Sequence, residues 1–252
     1  MQLVEAAIAA GLQAIAVTDH IPMYWLPQAE HEPTLAMSME ELPRYVAAVL
    51  DLKERHRGEI EVLLGIEADY IEGHEAELEQ LLASYPFDVV LGSVHRLGDR
   101  WVAAPSTVLR YQRGNGEVDA IWSRYTDLVI AAAASGLFDV LAHLDLPKKF
   151  GHRATTPFAG RQAEVVAAVA ASGCAVELSS AGRRRPVRED YPAPDLVREL
   201  AAAGVQLVLS SDAHDPSEVG LGFAELVKTA GAAGVTEVAV FRHRRRTMAK
   251  IS

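Results

Sequence analysis

Short aliphatic and β-branched runs alternate along the chain with longer, alanine-rich amphipathic stretches. The runs LQAIAVT (12–18), IEVLLGI (60–66), FDVVLGS (87–93), FDVLAH (138–143), CAVELS (174–179), VQLVLSS (205–211) and VTEVAVF (235–241) predict strands. Several are almost continuously apolar, as parallel strands covered on both faces require. The spacing of apolar positions between them predicts helices near 2–10, 38–56, 73–84, 117–135, 159–172, 194–203 and 217–232. Gly11, Gly136, Gly173, Gly204 and Gly234 each stand between a helical pattern and a strand, where a left-handed cap is wanted. Strand–helix alternation of this kind predicts an α/β fold with a parallel sheet or barrel, as a single domain over 1–252. An α/β barrel normally opens on a strand, whereas this sequence opens on a helix. The helix at 2–10 therefore reads as a crossover whose preceding strand is absent.

Composition narrows the class. At 252 residues, half of them hydrophobic, the chain has the length of one α/β barrel and the means to bury a large core. Its single cysteine, Cys174, lies in the apolar GCAVEL stretch, which excludes a disulfide framework and a thiolate metal cage and marks a core residue. Twenty-four basic against 34 acidic residues give a net charge of −10, a field that repels nucleic acid and anionic membrane. A phosphorylated ligand would then need local positive charge from metals or arginines. No apolar run approaches the roughly 20 residues of a membrane span, and the acidic N-terminus has no signal-peptide pattern, so a cytoplasmic protein is expected.

The chemistry gathers at the strand ends. Six of the seven runs close on acids, histidines or serines: Asp19-His20, Glu67, His95, His143 with Asp145, Glu177 with Ser179, and Asp212 with His214. In parallel α/β folds these ends converge on one face, where active sites are built. Taken singly, each histidine is more often a hydrogen-bonded core residue than a ligand. Several unpaired polar groups buried at one end of a barrel are costly without a common ligand, so the set as a whole points to a metal. Histidine and carboxylate donors suit zinc, manganese or iron. His31, His56, His74 and His243 fall in polar stretches and read as solvated. His152, in the KKFGH segment with Lys148, stands where it can face the site. Arg183, Arg184 and Arg185 follow the CAVELS run and suit a phosphate clamp. The tail Arg242–Arg246 reads as solvated surface.

The segments VTDHIPM, GIEADY, YPFDVVLGSVH, AHLDLPKKFGH, SSAGRRRPVREDYPAP and SSDAHDPSEVG, in that order, resemble the PHP (polymerase and histidinol phosphatase) superfamily. The GSVH, HLDLPKKFGH and AGRRRP…YPAP segments narrow the resemblance to its histidinol-phosphate phosphatases. The resemblance spans nearly the whole chain. It implies a distorted (β/α)7 barrel holding two or three divalent metals, a small phosphorylated substrate, namely L-histidinol phosphate, and a place in histidine biosynthesis. By the resemblance Glu67 bridges two metals and His95 and His143 complete one site. Asp212 belongs to a second site, and His20 and His214 belong to a third. Ser179 and Arg184 match positions near the phosphate, with Lys148 or His152 as further positive charge. Asp19 or His152 is a candidate for proton transfer, and Glu177 with Asp69 or Asp145 for the substrate's cationic end.

One part of the family pattern is missing. The family's first strand ends in His-x-His, with a further histidine soon after, and no histidine here stands in their place; His31 is the nearest. Two readings follow: an N-terminally shortened sequence of a complete protein, or a true short form with an incomplete metal site. Beside histidinol-phosphate hydrolysis stand two alternatives, a related phosphoesterase acting on another small phosphate and a non-catalytic remnant. The sequence leaves the oligomeric state open.

Overall fold

The computed structural model describes residues 2–103, 115–154 and 159–251. Its first half runs α1 (Gln2–Ala9), β1 (Ala14–Val17), α2 (Leu42–Arg55), β2 (Glu61–Asp69), α3 (Glu75–Ala83) and β3 (Val89–Ser93), followed by a small hairpin of β4 (Arg96–Leu97) and β5 (Arg100–Trp101). The second half runs α4 (Asn115–Ala134), β6 (Val140–Leu141), α5 (Ala159–Ser172), β7 (Ala175–Ser179), α6 (Pro194–Ala202), β8 (Leu207–Ser210), α7 (Phe223–Ala232), β9 (Glu237–Arg242) and β10 (Arg245–Lys250). Six strands form one curled parallel sheet in the order β1-β2-β3-β6-β7-β8, a half-barrel.

Side-chain alternation along the strands decides what each face does. Val62, Leu64, Ile66, Val90, Leu141, Val176, Leu178 and Leu207 point to the helices and join the main core. The opposite face begins with a small apolar layer of Val89, Leu91, Val140 and Ala175. Further along the same face, toward the C-terminal strand ends, the residues in register are Glu67, Asp69, Ser93, Glu177 and Ser210, and the face turns polar. The helix starts follow local rules. Ahead of α2 the Ser38 hydroxyl accepts from the Glu41 N–H at 3.2 Å and the Glu41 carboxylate from the Ser38 N–H at 2.8 Å, a reciprocal capping box that closes the turn leading into the regular helix at Leu42.

Two elements differ from the sequence expectation. The run at 235–241 is not a seventh parallel strand: β9 pairs antiparallel with β10 across a two-residue turn. The turn residues, His243 (φ 50°) and Arg244 (φ 60°), are both left-handed, as a type I′ hairpin turn requires, without its usual Asn-Gly signature. The hairpin packs Ala239 and Phe241 against Val89, Leu91, Val140 and Ala175. Arg242 and Arg244 are latches rather than free surface charge. Arg242 pairs with both Glu61 carboxylate oxygens at 2.6 Å, and Arg244 reaches Asp139 and the Leu137 carbonyl. The helix expected from 217 starts at Phe223. Before it, Gly220 and Gly222 take positive φ, and the Gly220 N–H donates to the Ser211 hydroxyl at 3.2 Å, tying this loop to the end of β8.

Asp88 fastens three of these parts together. Its carboxylate accepts from Lys53 at 2.7 Å, from the Leu64 N–H at 3.0 Å and from the His243 N–H at 3.1 Å. Burial opposes its ionisation, but the Lys53 ammonium and the two N–H donors win and hold its pKa below the ordinary value. A depressed carboxyl pKa stabilises the fold above the unfolded-chain pKa, and that stabilisation is lost as pH falls through the native value. Asp88→Asn should therefore cost about 1.5–3 kcal/mol at pH 7, the worth of charge-assisted bonds. The cost should shrink when thermal melts are repeated toward pH 3, and an equal cost at both pH values would contradict this assignment.

Candidate metal centre

Glu67 is the hub. It ends the apolar run of β2 on the polar face, 8% exposed, and three imidazoles from three other strand ends surround it. His20 Nδ1, beyond β1, lies 3.7 Å from Oε2. His95 Nε2, beyond β3, lies 3.7 Å from Oε1, and His143 Nε2, beyond β6, lies 3.2 Å from the same oxygen. The rings of His20 and His95 sit 5.2 Å apart, and those of His95 and His143 4.9 Å apart. His20, Glu67 and His95 each offer a ligand atom within 4.8 Å of the others, room for one cation held by nitrogen and oxygen donors.

The surroundings orient these groups. Asp69 Oδ1 lies 2.9 Å from His95 Nδ1, so the ring donates there and keeps its Nε2 lone pair toward Glu67. Three tyrosine hydroxyls brace the strand ends: Tyr24 donates to the Asp69 carbonyl at 2.7 Å, Tyr125 to the His143 carbonyl at 2.8 Å, and Tyr45 meets the Val17 and Gly65 carbonyls. His143 (φ 28°) and Asp212 (φ 44°) hold left-handed backbones, which non-glycine residues seldom adopt outside turns and functional sites.

The electrostatics test whether a metal fits. Burial works against the Glu67 charge, but His20, His143 and His95 hold its carboxyl well below the ordinary range. Burial likewise opposes a proton on His143, yet the bond to Glu67 raises that pKa to about 9. The Glu67 carboxylate raises His20. Burial pushes Glu177 up to about 7 against the pull of His143, and raises Asp212 with help from Glu67. Glu67 thus stays ionised while burial and its charge favour protons on Glu177, Asp212 and the histidines, and a bound divalent cation would displace such protons. The His143 Nδ1 is buried with no partner among the described residues. Donor types, spacing and excess negative charge all fit a divalent metal.

The remaining predicted residues divide. His214 is exposed and stands with Asp212, its Nδ1 3.5 Å from Oδ1, so the structure groups His20 with Glu67 and His95 and leaves His214 at the rim. Arg184 reaches the end of β8: its Nη2 donates to the Ser211 carbonyl at 2.7 Å and the Asp212 carbonyl at 3.0 Å, and Nε lies 3.1 Å from Glu218 without a well-directed bond. Its Nη1 is buried and has no acceptor among the described residues. The Asp19 carboxylate accepts from the His20 N–H at 2.8 Å, and His152 is half-buried just beyond the left-handed Gly151. Ser179 is buried beneath Tyr191, with which it exchanges two backbone bonds, and its hydroxyl meets the Ala181 N–H at 3.3 Å. His31 lies 3.0 Å from the Leu26 carbonyl and replaces none of the absent histidines.

Lys148 requires a correction. It is wholly buried, and its three ammonium protons are taken by Asp145 at 2.7 Å, the Asp190 carbonyl at 2.7 Å and Glu189 at 3.3 Å. No proton is left for a phosphate. Two candidates for the substrate's cationic end are likewise occupied, Asp145 by Lys148 and Asp69 by His95. The orienting role of Asp69 was hidden in the sequence; the signal was its place in GIEADY, two residues past Glu67 on the same strand face.

A parallel half-barrel with histidines and carboxylates clustered at its strand ends defines a class of metal-dependent hydrolases. The chain belongs to the PHP-domain family, whose model matches residues 1–181, in the branch of the histidinol-phosphatases. A Deinococcus radiodurans protein named "Probable histidinol-phosphatase" is 42% identical over 96% of this chain and 89% of its own length. The Bacillus subtilis histidinol-phosphatase is 25% identical over 88% of this chain and 89% of its own. Among solved structures, the Lactococcus lactis histidinol phosphate phosphatase, crystallised with zinc, L-histidinol and phosphate, superposes with a TM-score of 0.82 at 24% identity, over 98% of this chain and 91% of that one.

Proposed function

We propose that the chain hydrolyses L-histidinol phosphate to L-histidinol and phosphate in the cytoplasm, with Glu67 at the centre of a divalent-metal site. The observation that carries the reading is the ring of His20, His95 and His143 around buried Glu67, in a chain 42% identical to a histidinol-phosphatase relative. His20, Glu67 and His95 would hold one cation. His143, Asp212 and His214 would supply donors to further cations. Bound there, divalent metals supply Lewis acidity toward the phosphoryl group and make water more acidic. The chain's own residues do the rest. Asp69 fixes the His95 tautomer. The two carbonyl anchors of Arg184 set its guanidinium beside Asp212, where the unpaired Nη1 suits a phosphate oxygen. Glu177, whose Oε2 accepts the His143 N–H at 3.0 Å, is the remaining candidate acid for a cationic substrate end.

The test is a panel of phosphate monoesters with zinc or manganese added. Histidinol phosphate should give the highest kcat/KM. Faster hydrolysis of another small phosphate would move the substrate assignment to that compound, and no metal-stimulated turnover of any monoester would remove the catalytic reading.

A further inference from the structure

The β1–β2 pairing opens just before it reaches the site. The two strands run in one register from Ala14 opposite Glu61 to Val17 opposite Leu64, and meet again with the same offset where His20 faces Glu67. There the Glu67 N–H donates to the Asp19 carbonyl at 3.0 Å and the Ile21 N–H to the Glu67 carbonyl at 2.8 Å. In the interval the hydroxyl of Tyr45, from α2, enters the ladder. It lies 2.7 Å from the Val17 carbonyl, 2.8 Å from the Gly65 carbonyl and 3.4 Å from the Asp19 nitrogen. An unbroken parallel ladder would send the Asp19 N–H to the Gly65 carbonyl. Here the phenol oxygen accepts from the first, and its single proton is shared between the Val17 and Gly65 carbonyls. Gly65 has no room for a side chain: a Cβ there would lie 2.5 Å from Thr18 Cγ2 and 3.0 Å from the Val17 carbonyl oxygen.

We propose that Tyr45 is a positioning residue for the metal centre, its hydroxyl fixing the separation of the two strand ends that carry His20 and Glu67. The inference rests on the metal-site reading above. Among the described residues β1 pairs only with β2, so the His20 segment is set by its two backbone bonds to Glu67 and by the hydroxyl inserted just before them, whereas Glu67 is also held by β3. Burial raises the Tyr45 pKa, so the hydroxyl keeps its proton and remains a donor between the two carbonyls. A conserved ring volume with the hydroxyl removed, Tyr45→Phe, leaves the packing of α2 in place and lets the strand ends relax.

The experiment measures zinc(II) affinity by competition with a chromophoric chelator, and the visible spectrum of the cobalt(II)-loaded protein, for wild type, Tyr45→Phe, Gly65→Ala and Glu67→Gln. Tyr45→Phe should weaken zinc about ten- to hundredfold, the usual effect of removing a group that orients a ligand. Its cobalt spectrum should shift, and its metal-free melting temperature should fall by only a few degrees. Gly65→Ala, which pushes the same strands apart from the other side, should shift the spectrum likewise and serves if Tyr45→Phe does not fold. Wild-type zinc affinity and cobalt spectrum in both variants, with affinity abolished in Glu67→Gln, would overturn the role of Tyr45 while leaving the site. Unchanged affinity in Glu67→Gln would overturn both.

Discussion

Glu67→Gln should abolish tight divalent-metal binding and lower phosphate monoester hydrolysis by at least about a thousandfold. Metal-assisted charge stabilisation supplies several kcal/mol, and each factor of ten in rate corresponds to about 1.4 kcal/mol. The substitution is nearly isosteric, so His20, His95 and His143 keep their places while the charge that gathers them disappears. The amide also presents a donor to imidazole nitrogens that must offer lone pairs to a cation. Metal content after dialysis, by elemental analysis, and turnover with added zinc or manganese check the two halves of the prediction. Wild-type metal content in Glu67→Gln would show that the cation sits elsewhere.

The strand ends made this site legible. The apolar runs give way to polar residues at or near the C-terminal strand ends (in β2 at Glu67, two residues before the strand closes), so TDH, GIE, GSVH and AHLD announce both a strand and the residue it delivers to that face. What the sequence concealed were contacts made across the fold. Asp69 lies one strand face along from Glu67, and nothing local says that it takes His95 rather than a substrate. The Lys148 of a basic KK pair reads as free charge until Asp145 and the 189–190 segment are seen to enclose it. The hairpin at the C-terminus failed for a different reason. VTEVAVF has the composition of a buried strand, while the turn that reverses it uses His243 and Arg244, residues with no turn signature. Asp88, distant in sequence, accepts both of their N–H groups, one by its carboxylate and one by its carbonyl.

Lys148→Met separates a structural lysine from a phosphate ligand. The ammonium joins the loop after β6, which follows His143, to the 181–191 loop, which carries Arg184, through Asp145, the Asp190 carbonyl and Glu189. Asp145 is itself 4% exposed and also accepts the Ala193 N–H at 2.8 Å. Methionine fills the space but leaves that carboxylate buried without its cation, a loss of about 3–5 kcal/mol. For a chain of this size the melting temperature should fall by roughly 6–20 °C. Adding Asp145→Asn removes the uncompensated charge, and the amide oxygen can still accept from Ala193, so the double variant should regain more than half of the loss. This non-additivity is the mark of a pair that acts as a unit. A lysine reaching the substrate phosphate would behave in the opposite way: Lys148→Met would keep its melting temperature and raise KM, and Asp145→Asn would rescue nothing.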